Sequence, residues 1–150
     1  MSERKVKLYK LCHAYCDERI VVAQKAIESL QISANEETKS SAGDKYETGR
    51  SMMQLEMEKY SMQLEETIKL KQTISQIETV VQTDTVQTGC LVTTNQGNFY
   101  ISISAGLLKL GDESFYAISP ASPIGAKLLG LKVKDSFTFN NRSYTVQRIE

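Results

Sequence analysis

The chain has 150 residues, with 18 lysine and arginine side chains against 18 aspartate and glutamate, and 41% of it is hydrophobic. A formal charge of zero excludes a global basic field for holding a nucleic-acid backbone, so any nucleic-acid role must be local or indirect. No apolar run of about 18 residues occurs and no apolar stretch follows the charged opening, so neither a membrane span nor an export signal is expected, and the cytoplasm is the expected compartment.

The length suits one ordinary domain, or an extended element joined to a small globular one. Three cysteines, an odd number, do not make the disulfide framework of a small secreted domain, and reduced thiols are expected.

From Val6 to Leu30 the apolar-biased positions are Val6, Tyr9, His13, Cys16, Ile20, Ala23, Ile27 and Leu30. Their steps of three and four make a heptad seam along a helix. A second stretch, from about Thr48 to Glu78, has no proline and carries Met53, Met57, Tyr60, Leu64, Ile68, Ile74 and Ile77 among charged and amide residues. It also predicts a helix, with looser spacing. Between them NEETKSSAGDKYETG interrupts the apolar pattern with small and polar residues, which predicts a reversal and hence an antiparallel helical hairpin. Arms of about 30 residues reach about 45 Å at 1.5 Å per residue, which places residues near 40 to 47 at a tip remote from both ends.

After Glu78 the period changes. Val80 to Thr85 reads as a connector, and Gly89–Thr94, Asn98–Ile103 and Ser114–Ile118 are rich in β-branched and aromatic residues, as strands are. Phe137-Thr138-Phe139 and Tyr144-Thr145-Val146 flank Asn140-Asn141-Arg142-Ser143, which predicts a closing hairpin because asparagine tolerates positive φ. One helix interrupts the strands: Ser122 suits its N-cap, Pro123 its first position and Gly130 its stop, with Ile124, Leu128 and Leu129 available to pack on the sheet. The expected fold class is α+β, with a helical hairpin over residues 1–79 and a small β-rich domain with one short helix over 80–150.

Within residues 117 to 139, Ser119-Pro120, Ser122-Pro123-Ile124-Gly125, Leu128-Leu129-Gly130, Lys132-Val133 and Asp135 stand in matching order with a known signature. The segment resembles the C-terminal signature of the GreA/GreB family of transcription elongation factors, with Lys134 standing where the family usually has glycine. The resemblance extends over the whole chain, since that family joins an N-terminal antiparallel coiled coil to an FKBP-like domain. Its members carry an acidic tip of G-D-x-x-E type between the helices, and Gly43-Asp44-Lys45-Tyr46-Glu47 falls at the predicted tip.

The resemblance implies a partner and a chemistry. Gre factors pass the tip through the secondary channel of RNA polymerase, where the acidic pair helps to hold a second Mg²⁺ beside the polymerase's own catalytic metal. It implies Asp44 as the metal contact and Glu47 as its support or as the group that orients the attacking water. The chain would then be no enzyme by itself but an accessory factor that completes the polymerase site, meeting nascent RNA or DNA only through polymerase. Ser119, Pro120, Ser122, Pro123 and Lys132 would lie on the polymerase-docking face. The alternative is a channel-occupying regulator that does not stimulate cleavage.

Other readings of the same residues stay open. Asp44 with Glu47 also fits a capping box at the start of the second helix. Cys12-His13-x-x-Cys16 invites a metal reading, but zinc wants four ligands and the chain offers one histidine and a distant Cys90, so packing is the simpler role. The methionines at 52, 53, 57 and 62 read as core filler. A nucleophilic Cys90 would need a histidine near the thiol, and His13 lies far along the chain. Proline isomerisation by an FKBP-like domain finds no tryptophan and no aromatic-lined pocket in the sequence.

Overall fold

A computed structural model of the chain describes the backbone of residues 3–37, 43–77 and 83–150, and the side chains of these apart from 37 and 43–47. The order is α1 (Glu3–Glu37), α2 (Gly43–Ser75), β1 (Leu91–Thr94), β2 (Gly97–Ile101), β3 (Gly106–Leu110), β4 (Glu113–Ile118), α3 (Pro123–Leu128), β5 (Ser136–Phe139) and β6 (Arg142–Ile149). The fold is α+β. Two compact units are present, one of residues 1–15 with 72–150 and one of residues 16–71.

In the helical unit the two arms run antiparallel. Lys71 Nζ meets Asp17 Oδ1 at 2.6 Å. Residue 17 lies 20 residues before the end of α1 and residue 71 lies 28 after the start of α2, about 30 and 42 Å along the two axes. Only a second helix that returns along the first brings them together. The seam holds Cys16, Ala23 and Thr67 buried, with Ile20, Ile27, Leu30, Met53, Met57, Tyr60 and Leu64 half-buried.

Three features depart from the sequence pattern. Thr67, not Ile68, takes the inner position: Ile68 is 40% exposed, while the Thr67 hydroxyl donates to the Gln63 carbonyl at 2.8 Å and so enters the seam without an unmet polar group. Met52 and Met62 are more than 60% exposed, so of the four methionines only Met53 and Met57 serve as filler. The predicted reversal is shorter than its composition suggests, since α1 continues to Glu37 and α2 resumes at Gly43. Polar, proline-free sequence sustains a solvent-exposed helix as readily as a loop, and apolar periodicity cannot tell the two apart. Residues 38–42, and 78–82 of the predicted connector, lie outside the described residues.

In the other unit six strands form a sheet in the order β3-β4-β2-β1-β6-β5, antiparallel except where β2 runs parallel to β4. The closing hairpin turns through Asn140 (φ 50°) and Asn141 (φ 64°), as the Asn-Asn pair predicts. Strand β3, Gly106–Leu110, is leucine-rich and lacks β-branched residues, which is why the strand pattern passes over it. It is held by pairing with β4 alone, from Gly106↔Ala117 to Leu110↔Glu113.

Strand alternation gives the sheet two apolar faces. Val92, Phe99, Ile101, Tyr144 and Val146 gather on one with Val86, Cys90 and Leu128. Leu91, Tyr100, Phe115 and Ala117 are buried on the other. The first turns of α1 lie on that second face: the Arg4 guanidinium sits 5.4 Å over the Phe115 ring, and Cys12 Sγ is 3.8 Å from Ser102 Oγ. Lys5, Leu8 and Cys12 are accordingly buried. These positions flank the predicted heptad seam rather than lying on it, so the helix buries a second stripe at its root. Arg4 closes the arrangement with two ion pairs of 2.7 Å, to Glu113 and to Glu150.

Candidate functional site

The acidic pair sits at the start of α2. Because α2 begins at Gly43, Asp44 lies inside the first turn and Glu47 follows one turn later, three residues on. That spacing puts both Cα atoms on one side of the helix. A capping box would need Asp44 just outside the helix, one or two positions from where this start places it. The side chains of Asp44, Lys45 and Glu47 lie outside the described residues, so the structure gives the pair a place and no contacts. As a donor set, two carboxylates one helical turn apart fit Mg²⁺, a hard cation that takes one or two acidic oxygens from protein and keeps several waters.

The second candidate segment is fully described. Ser122 (φ −65°, ψ 157°) caps α3: its hydroxyl accepts from Gly125 N at 3.1 Å and donates to the Ser119 carbonyl at 2.6 Å, and Ser122 N donates to that same carbonyl at 3.1 Å. Pro123 fills the first turn, where a missing N–H costs nothing. Gly125 has to be glycine, because a Cβ there would fall against the Ser119 carbonyl oxygen and 2.7 Å from the Ser122 hydroxyl. The helix stops at Gly130 (φ 83°), whose N–H donates to the Val86 carbonyl at 2.9 Å. Asp135 Oδ2 then accepts from Lys132 N at 2.8 Å, and Lys134 adopts φ 79° while its N–H donates to the Val146 carbonyl at 2.8 Å.

Of the predicted docking residues, Ser119, Pro120 and Ser122 are half-buried, while Pro123 and Lys132 are exposed. The Ser122 hydroxyl and the Ser119 carbonyl are engaged in the cap, which leaves Pro123 and Lys132 as the exposed members of the set. Leu128 is fully buried and Ile124 packs at the edge of the core, but Leu129, expected to face the sheet, is 39% exposed because it is the C-cap residue where the chain leaves the helix.

The cysteines do not assemble. Cys12, Cys16 and Cys90 are all buried thiols outside any disulfide, and burial raises the Cys16 thiol above its usual range, with Asp17 adding to the rise. Among the described residues, no three or more histidine, cysteine, aspartate and glutamate side chains gather as metal ligands. His13 packs edge-on against Tyr9, with ring centroids 4.7 Å apart. No helix among the described residues is long and apolar enough to cross a membrane.

No protein-family model matches the sequence, and no curated protein matches it significantly. Among solved structures the chain is similar to one described as the structure of the transcription factor Gfh1, at 19% identity over 94% of this chain and 92% of that one, with a TM-score of 0.35. A superposition that poor transfers neither a family nor a function.

Proposed function

We propose that the chain is an RNA polymerase-binding elongation factor of Gre type, which stimulates the polymerase's own transcript cleavage by offering Asp44 and Glu47 at the turn end of a helical hairpin. The observation that carries this reading is the pairing of two features in one chain. Two acidic residues start the second arm of an antiparallel hairpin, and the signature from Ser119 to Asp135 folds as a cap, a short helix and a turn in which Ser122, Pro123, Gly125 and Gly130 each have a structural task.

The accessory role follows from chemistry. Two carboxylates without a further ligand set do not make a nuclease, and they gain one when a polymerase supplies the remaining ligands. An Mg²⁺ ion shared in that way would supply charge neutralisation at the scissile phosphate and acidify a bound water. Asp44 would hold the shared ion, and Glu47 would orient the attacking water. The partner is polymerase, the transcript is met only through it, no membrane is involved, and the compartment is the cytoplasm.

A regulator that occupies the channel without stimulating cleavage is the second reading, favoured by Gly49 inside α2 close to the acidic pair, where glycine costs the helix about 1 kcal/mol of stability relative to alanine. Cleavage of stalled transcripts by the cognate polymerase separates the two. On the first reading the protein raises the cleavage rate at least tenfold and Asp44→Ala abolishes the gain with polymerase affinity intact. Tight binding without any gain selects the regulator.

A further inference from the structure

The four methionines of α2 fall into two pairs. Met52 and Met62 are 63% and 62% exposed, whereas Met53 and Met57 are half-buried in the seam between the arms. Thiols ordinarily meet an oxidant ahead of thioethers, because a solvent-accessible thiolate is the better nucleophile. In this chain that order is blocked by burial: Cys12, Cys16 and Cys90 are each 0% exposed. Burial also raises the Cys16 thiol, which leaves less of it as thiolate. The chain has no tryptophan to compete. Among the described residues, the sulfur most open to solvent is therefore in two thioethers of α2 that lie off the seam.

We propose that Met52 and Met62 form a reversible oxidation site for two-electron oxygen donors of the peroxide class. The thioether sulfur attacks one oxygen of hydrogen peroxide, the O–O bond breaks and an S–O bond forms. Sulfur gives up two electrons, and the departing hydroxide takes the proton of the transferred oxygen and leaves as water. The product is a sulfoxide, polar where the side chain was apolar. At two positions this exposed the change disturbs no packing, so the hairpin survives it. At Met53 and Met57 the same change sets a polar group into the seam and costs the contact between the arms. The two pairs thus divide the response: the outer pair records the oxidant with the fold intact, and the inner pair is reached only as the seam opens. This assignment is independent of the polymerase reading.

The test treats the whole protein with hydrogen peroxide and follows each sulfur by peptide mass. Sulfoxide should appear at Met52 and Met62 at least about threefold faster than at Met53 and Met57, with all three thiols still open to alkylation once the protein is unfolded. The melting temperature of the outer-pair product should stay within about 2 °C of the untreated protein. Sulfoxide reductases for the two sulfoxide epimers should return both residues to thioethers. Met52→Leu/Met62→Leu keeps the apolar bulk and should melt as wild type while taking up no oxygen over the same time. Equal rates at the four methionines, or thiols oxidised first, overturn the site. A melting temperature that falls in step with the outer-pair sulfoxide overturns the division between the pairs, and sulfoxides that the reductases leave in place overturn reversibility.

Discussion

Tyr100 shows at single-residue scale what the interior tolerates. It is fully buried on the α1-covered face, and its hydroxyl meets no hydrogen-bond partner among the described residues. Burial holds its phenol well above the ordinary range, with the neighbouring Cys12 and Tyr9 adding to the shift. Above pH about 10 the unfolded chain therefore releases a proton that the folded chain keeps, so this residue's contribution to stability falls as pH climbs through the unfolded value. Tyr100→Phe should remove that alkaline loss and cost at most about 1 kcal/mol at neutral pH, since no hydrogen bond is given up. Urea unfolding at pH 7 and pH 10.5 checks both; an equal alkaline loss in the variant would locate the titrating group elsewhere. Lys5 acts in the opposite sense, because burial lowers its ammonium pKa, and its contribution grows as pH rises toward the unfolded value of about 10.4.

At the scale of elements, α3 was legible almost residue by residue: Ser122, Pro123 and Gly130 each carry a local rule, and local rules need no knowledge of the tertiary fold. Gly125→Ala puts that account at risk. The added methyl group must displace the Ser119 carbonyl or the capping hydroxyl, so the variant should lose about 2 kcal/mol or more, far beyond the helix preference of alanine over glycine. A variant as stable as wild type in thermal unfolding would mean that the cap is not held as described. Strand β3 and the buried root of α1 were not legible, for a common reason. Gly106–Leu110 becomes a strand by pairing with β4, and Lys5, Leu8 and Cys12 go inside because a sheet from the far end of the sequence lies over them. The exposure of Leu129 was not legible for a different reason: beside Leu128 it reads as core, and only the point where the chain leaves the helix puts it outside.

For the whole molecule, the two compact units divide the proposed work. The antiparallel hairpin carries the acidic pair where α2 begins, and the sheet unit carries the segment of residues 119–135, held by its cap and by backbone hydrogen bonds. The acidic pair was legible only through family resemblance, since aspartate and glutamate three residues apart recur at many helix starts. Its function therefore has to be tested through the metal. The most direct measurement is the Mg²⁺ concentration that gives half-maximal cleavage of a stalled transcript by the cognate polymerase, alone and with the protein. The wild-type chain should lower that concentration at least threefold, and Asp44→Asn should return it to the value for polymerase alone while still binding. An unchanged Mg²⁺ requirement with wild-type protein bound would contradict the sharing of a metal by Asp44 and Glu47.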